Sequence, residues 1–455
     1  MVKFGDFNGK NIFFIGIGGI SMSALAMFSE KFGATVSGSD MSESAETRKL
    51  QQLGVDIKIG HDASNISTTI DYVIYTAAIP LNNVELIKAN ELNIPCIERS
   101  EFLGVISGLY SNSIVVAGTH GKTTTTAMIG EMFINANKYP SIHLGGESIA
   151  FGNYLVGNQS TFITEGCEYK NSIRYLSPHT TVITSIELDH TDCYKSKVDV
   201  EYAFLHLANN TKENVIIFEN KDFARSISAK VNVFNVGFGD GYDIAGKNVT
   251  KLIGGGYSFD VYFNGLYMGK FQSNAVGIHN AGNTLCAIAV ALLYGIDIST
   301  IYKSTRAFKG VKRRFERVGS VYGVPVICDY AHHPTEIYNS IKTAKTIFGK
   351  VNVIFQPHTY SRTIGLKKEF IKNLKAPTSL AIYKTYPARE KYMVGGSAKE
   401  LFNVIQHSNK TFLQNKKALK QYLINMCHEG CILVLGAGDI YYLVVKILKS
   451  KDIPK

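Results

Sequence analysis

The chain of 455 residues is 45% hydrophobic and 19% charged, which predicts a soluble globular protein of about three domains. No apolar run reaches the roughly 20 residues of a membrane helix, and the first residues carry no signal-peptide pattern, so we expect a cytoplasmic protein without membrane insertion. The net charge of +11 comes from lysines spread along the chain, which fits anionic small substrates or a plain compositional bias and does not predict a nucleic-acid partner.

A short apolar strand, 10–15, leads into the glycine-rich turn Gly16-Ile-Gly-Gly19 and then into a helix. A pyrophosphate can sit on the N-terminus of such a helix. The next strand, 34–37, is followed by Gly38-Ser39-Asp40, which places an acid about 20 residues after the turn, where a dinucleotide fold binds ribose. The pattern predicts a Rossmann-like, nucleotide-binding domain over residues 1–110. Taken alone, it also fits an NAD-dependent dehydrogenase.

A further apolar strand, 113–117, runs directly into Gly118-Thr-His-Gly-Lys-Thr-Thr124. The two glycines of this segment let the backbone turn so that its N–H groups face phosphate oxygens, and its lysine adds a cation. The hydroxyl of Thr123 or Thr124 can ligate Mg²⁺. Only two residues separate the glycines, where the common P-loop has four. We predict a phosphate-binding loop at the start of a central domain, 111–310.

Two later strands of the central block end in polar side chains. Glu165 follows strand 161–164, and His190 follows strand 181–186. Ligands of open α/β sheets gather at the carboxyl ends of strands, so Thr123, Glu165 and His190 are expected at one rim. A solvated loop carboxylate or a turn histidine would explain each residue alone. Their joint placement beside the phosphate loop favours a magnesium site.

Asn280 and Asn283 stand at the start of a small-residue apolar helix, 284–293. Residues three apart project from neighbouring turns of a helix. Capping of the helix N-terminus explains one of the two asparagines but not both.

The last block begins at a charged junction, 311–316. Its apolar strands, 325–328, 351–355 and 431–435, are each followed by polar residues, as in the first two blocks. We therefore predict a third Rossmann-like domain over residues 311–455.

Polar side chains after these strands include Tyr330, His332, His358 and Arg362. Arginine offers a planar fork of donors and histidine a single donor, so this group is a candidate for gripping a substrate carboxylate. A surface salt bridge explains Arg362 equally well. Adjacent residues on an extended segment point to opposite faces, so His332 and His333 are not expected to bind one metal ion together.

Seven motifs, in this order and in all three blocks, resemble the Mur ligases. They are Gly-x-Gly-Gly-x-x-Met-Ser-x-Leu-Ala (16–26), Gly-Thr-His-Gly-Lys-Thr-Thr (118–124), Asp-His (189–190), His-Asn-x-x-Asn (279–283), Arg-Arg-Phe-Glu (313–316), Asp-Tyr-x-His-His-Pro-Thr-Glu (329–336) and Phe-Gln-Pro-His-x-Tyr-Ser-Arg-Thr (355–363).

The resemblance implies three Rossmann-like or mononucleotide-binding α/β domains with largely parallel sheets, assigned in turn to a UDP-sugar, to ATP and to an amino acid. It implies an ATP-dependent ligase that joins L-alanine to the lactyl carboxylate of UDP-N-acetylmuramate through an acyl phosphate, in peptidoglycan precursor synthesis, with Mg²⁺. The nearest alternative is a Mur-type ligase that recycles murein tripeptide.

The resemblance also implies roles for individual residues. The residues implied for ATP are Gly118, Thr119, His120, Gly121, Lys122, Thr123, Thr124, Asn280, Asn283 and Asp329. Those implied for the UDP-sugar are Gly16, Gly18, Gly19, Ser39, Asp40 and His61. Those implied for alanine are Tyr330, His332, His358 and Arg362, and those for magnesium are Thr123, Glu165 and His190. Catalytic roles fall to Lys122, Glu165, His190 and Arg314.

The chain departs from the family pattern at a few positions. Cys167, Tyr169 and Lys170 stand in a segment where the family commonly has two further carboxylates. Thr359 stands where many members have an arginine beside the alanine site, and Ala331 replaces a frequent glycine. None of these changes touches the lysine and threonines of the phosphate loop.

Overall fold

The computed structural model describes residues 7–189, 193–388, 390–425 and 429–450. These residues form three sheets, which follow one another along the chain, and helices connect most of the parallel strands. The arrangement confirms the predicted α/β fold with largely parallel sheets. Within the described ranges, no helix combines the length and the apolar content that crossing a bilayer would need.

The elements of the first sheet are β1 (Asn11–Ile15), α1 (Ile20–Lys31), β2 (Thr35–Asp40), α2 (Ala45–Gln52), β3 (Asp56–Ile59), a 3-10 turn (Ala63–Asn65), β4 (Tyr72–Tyr75), α3 (Val84–Glu91), β5 (Cys96–Glu98) and α4 (Arg99–Gly108). The strands are parallel in the order β3-β2-β1-β4-β5, so the strand order reverses beside β1. Ligands of such sheets bind at this switch point, which the glycine turn 16–19 occupies. β2 extends through Asp40, so the prediction that this strand ends at residue 37 was wrong.

The elements of the middle sheet are β6 (Asn112–Ala117), α5 (Lys122–Asn135), β7 (Ser141–Ser148), β8 (Gly152–Leu155), β9 (Thr161–Glu165), a 3-10 segment (Tyr169–Tyr175), β10 (Thr180–Ile183), α6 (Lys197–Asn209), β11 (Asn214–Phe218), α7 (Lys221–Arg225), β12 (Asn232–Phe238), β13 (Ile244–Lys251), β14 (Tyr257–Phe263), β15 (Leu266–Ser273), α8 (Ile278–Leu293) and α9 (Ile298–Ala307). Its order is β15-β14-β13-β12-β11-β10-β6-β9-β7-β8. Antiparallel pairs occur only towards the two edges of this sheet. The phosphate loop, residues 118–124, follows the central strand β6.

The elements of the third sheet are β16 (Glu316–Val321), β17 (Val324–Asp329), α10 (Pro334–Phe348), β18 (Val351–Phe355), α11 (Tyr360–Gly365), α12 (Lys367–Asn373), β19 (Ser379–Tyr383), α13 (Ala398–Val404), β20 (Lys410–Leu413), α14 (Lys416–Asn425), β21 (Cys431–Leu435) and α15 (Ile440–Leu448). Its order is β16-β17-β21-β18-β19-β20, and the β16–β17 pair is antiparallel. The buried strands β18 and β21 are continuous apolar runs because helices cover both faces of the sheet.

Direct contacts join the three sheets. The Phe28 ring of α1 packs edge-on against Phe162 of β9, with ring centroids 5.3 Å apart. At the other junction, the Lys312 N–H donates to the Glu147 carbonyl at 2.8 Å, and the two side chains form an ion pair. Residues from all three sheets line one shared space near these junctions.

Candidate functional site

A cavity of about 570 Å³ lies where the three sheets meet. The start of α1 contributes Ile20 and Ser21, the phosphate loop contributes residues 119–123, and the third sheet contributes Arg314 and Arg362. The volume lies within the range typical of small-molecule sites. The residues predicted for phosphate and for a substrate carboxylate therefore share one space.

Two glycines shape the phosphate loop. Gly118 has a φ of 128° and Gly121 a φ of 84°, which residues with side chains rarely adopt. A Cβ on Gly118 would lie 2.3 Å from Thr184 Oγ1, and one on Gly121 would lie 2.4 Å from Asn283 Oδ1. Gly121 is the N-cap of α5, so the first N–H groups of that helix, which lack partners within the helix, stand at the cavity wall. This geometry fits an anion.

Lys122 is held at the loop in its charged form. Its Nζ donates to the Gly118 carbonyl at 2.5 Å and to Glu168 Oε2 at 2.9 Å, and Glu168 is 2% exposed. Burial lowers the pKa of Lys122, but the charge of Glu168, the hydrogen bond to it and the nearby Cys167 and Glu165 together outweigh burial and keep this pKa above the ordinary value. Glu168 thus acts as the counter-ion of a lysine that faces the cavity.

Thr123 and Glu165 meet at the same rim, as predicted from their places in the sequence. Thr123 Oγ1 donates to Glu165 Oε2 at 2.9 Å, and the Gly145 N–H donates to Glu165 Oε1 at 2.6 Å. Burial raises the pKa of Glu165, against these hydrogen bonds and the nearby Lys122. A hydroxyl and a carboxylate in contact are oxygen donors of the kind that Mg²⁺ prefers. The third predicted ligand, His190, lies outside the described residues.

A second cavity, of about 220 Å³, lies on the other side of the phosphate loop. Asn280, Asn283 and Asp329 line it together, and His120 and Gly121 line both cavities. Burial raises the pKa of Asp329 to about 6. The two spaces thus lie on either side of the same loop residues.

Neither asparagine caps α8, so the capping interpretation was wrong. The N-cap is Gly277. Asn280 Nδ2 donates to the Val276 carbonyl at 2.7 Å, and Asn283 Nδ2 donates to Asn280 Oδ1 at 2.9 Å. Both amides form a small chain at the start of the helix, beside the phosphate loop.

Glu336 contacts several site residues, and the sequence analysis did not predict it as a site residue. Its carboxylate lies 3.2 Å from His120 Nδ1 and 3.8 Å from Arg314 Nη1, and it accepts the His332 N–H at 3.1 Å. It also forms the capping box of α10 with His333. The sequence shows this capping pattern, but it gives no sign that the carboxylate also reaches the phosphate loop.

The four residues predicted to hold a substrate carboxylate lie side by side. Arg362 Nε donates to Asp189 at 3.1 Å and Arg362 Nη1 to His358 Nδ1 at 3.2 Å. The His332 ring lies 5.7 Å from His358 and 5.3 Å from Tyr330. Burial lowers the pKa of His332 to about 3 and of His358 to about 4, so both are neutral near pH 7. Arg362 is only 7% exposed, which excludes a surface salt bridge.

Arg313 is a second residue that the sequence analysis missed. Its guanidinium lies over the rings of Tyr330, Tyr441 and Tyr442 at 4.6, 5.3 and 5.5 Å, and it donates to the Gly438 carbonyl at 2.9 Å. Such cation–π contacts hold the arginine in one place at the cavity wall. Apart from Tyr330, these partners are more than 100 residues away in the chain, so no local pattern predicts them.

The departures from the family pattern lie in or near the site. Cys167 lines the main cavity, while Lys170 lies over the Tyr169 ring at 5.7 Å. Thr359 has φ 65° and ψ 151°, a conformation found almost only in glycine, and its N–H donates to the Tyr386 carbonyl at 2.9 Å. Backbone strain is therefore stored next to His358.

The residues predicted for a UDP-sugar gather at the glycine turn of the first sheet. Within this turn, the N–H groups of residues 16–19 all donate to acceptors inside the protein. The four bonds run from Gly16 and Ile17 to the Ser39 carbonyl, from Gly18 to Asp40 Oδ2, and from Gly19 to the Gly16 carbonyl. The N–H groups left for a ligand are those of the first turn of α1.

Glu85 organises the rest of this group and was not predicted. It is fully buried and lies 2.6 Å from Ser39 Oγ, 2.7 Å from His61 Nδ1 and 2.7 Å from Asn65 Nδ2. Three polar partners surround this buried carboxyl group, as burial of a polar group requires. Nothing in the local sequence distinguishes Glu85 from a surface acid of a helix.

His143 connects the first and middle sheets at the cavity wall. It lies 2.9 Å from Ser21 Oγ and 2.8 Å from Thr164 Oγ1. Burial, with the charge of Arg99, lowers the pKa of His143 to about 3, so the ring is neutral. A change at this contact would alter how the start of α1 faces the phosphate loop.

Family models match the chain in three consecutive stretches. Residues 11–111 match the Mur ligase family catalytic domain, 116–291 the Mur ligase middle domain, and 313–438 the Mur ligase glutamate ligase domain. Together the stretches account for most of the chain.

Curated relatives match over the whole length. The chain is 39% identical over 453 residues to UDP-N-acetylmuramate–L-alanine ligase of Clostridium novyi, covering 98% of each chain. It is 40% identical over 449 residues to the ligase of the same name from Clostridium kluyveri, covering 97% of this chain and 98% of the relative.

Solved structures also superpose on the chain. The crystal structure of UDP-N-acetylmuramate–alanine ligase MurC from Thermotoga maritima matches with a TM-score of 0.81 and 28% identity, covering 96% of this chain and 98% of the other. A murein peptide ligase from Psychrobacter arcticus matches with a TM-score of 0.73 at 20% identity, covering 98% and 100%. Because the sequence identity to the murein peptide ligase is only 20%, this match shows a shared fold and nothing about activity.

Proposed function

Because the chain belongs to the Mur ligase family, we propose that it is an ATP-dependent ligase that joins L-alanine to the lactyl carboxylate of UDP-N-acetylmuramate. This reaction supplies peptidoglycan synthesis. The single observation that carries the proposal is the cavity of about 570 Å³. It is lined by the phosphate loop, by the start of α1, and by the four residues predicted to hold a substrate carboxylate, Tyr330, His332, His358 and Arg362. A ligase that activates an acid and then adds an amine needs its ligands at one point.

We assign one substrate to each domain. Residues 1–110 bind the UDP-sugar, 111–310 bind ATP, and 311–455 bind alanine. Each assignment rests on the polar groups that the corresponding sheet delivers to the shared cavity. ATP and UDP-sugars are metabolites of the cytoplasm, in agreement with the location expected from the sequence.

ATP spans the two cavities across the phosphate loop. Its phosphates rest on the N-terminus of α5, where helix N–H groups and Lys122 attract negative charge. The adenosine then enters the 220 Å³ cavity, where Asn280 or Asn283 meets the base and Asp329 meets the ribose. Gly121, which lines both cavities, allows the close approach between them.

Thr123 and Glu165 would hold Mg²⁺, and His190 is the third proposed ligand. The contact between the Thr123 hydroxyl and the Glu165 carboxylate, at 2.9 Å, fits an oxygen-rich site. The ion would neutralise charge on the transferring phosphoryl group.

The reaction proceeds in two balanced steps. A lactyl carboxylate oxygen attacks the γ-phosphorus of ATP, the bond to ADP breaks, and an acyl phosphate forms. The alanine nitrogen then attacks the acyl carbon, phosphate leaves from the tetrahedral intermediate, and the nitrogen loses a proton to become an amide. Phosphorylation is needed because a carboxylate oxygen is a poor leaving group. Lys122 and Arg314 stabilise the charge that builds on the phosphoryl group.

Alanine binds at the third sheet. Arg362, fixed by Asp189 and His358, offers its remaining donors to the alanine carboxylate. His332 and His358 are neutral, so they add no positive charge beside the amine of the incoming amino acid. A small buried group of this kind fits a small amino acid better than a peptide.

An assay of phosphate release with omission controls tests the proposed function. We expect release only when ATP, Mg²⁺, UDP-N-acetylmuramate and L-alanine are all present, with one amide formed per phosphate. Release with murein tripeptide in place of alanine would favour the recycling ligase. Hydride transfer to or from NAD, without phosphate release, would contradict both proposed ligase activities.

A further inference from the structure

A cluster of metal-ligand side chains lies between the phosphate loop and α10, apart from the proposed magnesium residues. His120 comes from the loop, Glu187 follows β10, and His333 caps α10. One ligand atom from each lies within 4.8 Å of the others. His120 Nε2 is 3.5 Å from Glu187 Oε2, and the two imidazole rings are 5.0 Å apart.

The Nε2 atoms of both imidazoles are buried and lack a full hydrogen bond within the described ranges. The Nε2 atoms of His120 and His333 are buried without a hydrogen-bond partner among the described residues, and His333 is 6% exposed. Buried polar atoms are normally satisfied, whereas in the part of the chain that the structure describes His333 Nε2 has no hydrogen-bond partner and His120 Nε2 has only the 3.5 Å contact with Glu187, which indicates a missing ligand. The other ring nitrogens are occupied, by Glu336 at His120 and by the Thr335 N–H at His333.

We propose that His120, Glu187 and His333 bind a first-row transition cation, for which Zn²⁺ is the best fit. Two imidazole nitrogens and one carboxylate, with a fourth position open, are a common zinc ligand set. Mg²⁺ prefers oxygen ligands and is disfavoured here. Glu336 receives the Nδ1 side of His120, the arrangement that orients a histidine for metal binding.

Binding has two costs that the structure makes explicit. The cation replaces the contact between His120 Nε2 and Glu187 Oε2, which lie 3.5 Å apart. Coordination through Nε2 leaves the proton of His333 on Nδ1, so the 3.3 Å contact from the Thr335 N–H is lost. That contact is long for a hydrogen bond, and the N–H groups of residues 332 and 333 keep Glu336 as acceptor.

The bound cation would tie two sheets together. His120 and Glu187 belong to the middle sheet, and His333 begins the first helix of the third. Thr335 Oγ1 already donates to Glu187 Oε2 across this seam at 2.9 Å. The ion therefore clamps the phosphate loop against α10 and slows any opening that substrate exchange requires.

Cobalt provides a direct test, because tetrahedral and octahedral Co²⁺ differ strongly in visible absorption. The full chain, stripped with a chelator, is titrated with Co²⁺ in excess Mg²⁺. We expect one Co²⁺ per chain with an intense tetrahedral spectrum, displaced by Zn²⁺. In His333→Asn the affinity falls at least about tenfold, since one ligand is gone while asparagine still caps the helix. The control His206→Asn removes a surface histidine and keeps the spectrum.

Thermal unfolding gives a second measurement. Zn²⁺ raises the Tm of the wild type, since a ligand that binds only the folded state stabilises it, and raises the Tm of His333→Asn less. Circular dichroism first establishes that this variant folds. The proposal is overturned by an octahedral spectrum in the wild type, by equal affinity in His333→Asn, or by equal Tm shifts in both proteins.

Discussion

The glycine turn of the first sheet and the phosphate loop of the middle sheet begin alike and end differently. Each follows a buried central strand and opens a helix. In the first turn, the backbone N–H groups of residues 16–19 are all used inside the protein, and one of them holds the carboxylate of Asp40. In the loop, the N–H groups of Thr119 and His120 are also used inside the protein, but the charged group at the cavity wall is Lys122, a cation, beside the start of α5.

The difference in charge suggests to us separate roles for the glycine turn and the phosphate loop. The Asp40 carboxylate at the first turn disfavours a reacting phosphoryl group beside it and can accept hydrogen bonds from hydroxyl groups, while the N-terminus of α1 still offers N–H groups to a diphosphate. A loop that carries a buried, charged lysine attracts phosphate. We infer that the glycine turn positions a substrate and that the phosphate loop stabilises the phosphoryl group during the reaction.

Removal of the cation of the phosphate loop should have the largest effect and tests whether the two turns have separate roles. Lys122→Ala should lower kcat by about 1,000-fold or more, since one preorganised donor at a developing charge is worth about two to three orders of magnitude. Binding of UDP-N-acetylmuramate, measured by calorimetry, should change less than about twofold, because the sugar binds at the other turn. Lys303→Ala, on an exposed face of α9, is the control. Comparable losses of turnover and sugar binding would show that the tasks are not separate.

The shape of the loop should also matter, though less than its charge. Gly118→Ala places a Cβ 2.3 Å from Thr184 Oγ1, so we expect the KM for ATP to rise at least about tenfold and the protein to lose about 1 to 3 kcal/mol of stability. Gly9→Ala is a matched control, since it imposes a positive φ with nothing within 4 Å of the new Cβ. It should cost stability alone, and an equal effect on the KM would refute a specific role for Gly118.

Asp40→Asn should produce the opposite kinetic pattern to Lys122→Ala. Asparagine can still accept the Gly18 N–H, but the charge that would accept hydroxyl donors is lost. We expect the KM for UDP-N-acetylmuramate to rise about tenfold, with little change in kcat, in steady-state kinetics. A large fall in kcat at an unchanged KM would place Asp40 in the chemistry.

The helix after the loop allows a smaller prediction about stability. α5 buries Glu131 to 8% exposure, and burial raises the pKa of this carboxyl to about 7, against the attraction of Lys309. The folded state therefore holds a proton that the unfolded state releases near pH 4.5, and stability falls as the pH rises through about 4.5 to 7.

Glu131→Gln should remove that pH dependence. We expect a gain of about 1 to 3 kcal/mol in the free energy of unfolding at pH 8 and almost none at pH 4, measured by urea denaturation. Glu43→Gln, at an exposed position, should change the free energy by less than about 0.5 kcal/mol at either pH. A gain of equal size at both pH values would mean that ionisation of Glu131 is not its cause.

The sequence predicts what depends on neighbours in the chain. The phosphate loop follows from a strand, two glycines and a lysine within 12 residues, 113–124. The placement of Glu165 beside Thr123 follows from the rule that strand ends share a rim, so it too was within reach.

Contacts between distant segments could not be predicted in this way. Glu85, Arg313 and His143 gain their partners only when separate helices or sheets meet, and their local sequences are ordinary. The pair of Arg362 with Asp189 joins the third sheet to the middle one, so the sequence left a surface salt bridge as an equal alternative. These are the residues for which the structure is indispensable.

Isotope transfer tests the central claim, that the phosphate loop activates a carboxylate, most directly. UDP-N-acetylmuramate carrying ¹⁸O in its lactyl carboxylate is turned over with ATP, Mg²⁺ and L-alanine, and the released phosphate is analysed by mass spectrometry. Formation of an acyl phosphate predicts that one carboxylate oxygen leaves with phosphate in every turnover. Phosphate without ¹⁸O, accompanied by amide product, would contradict the account.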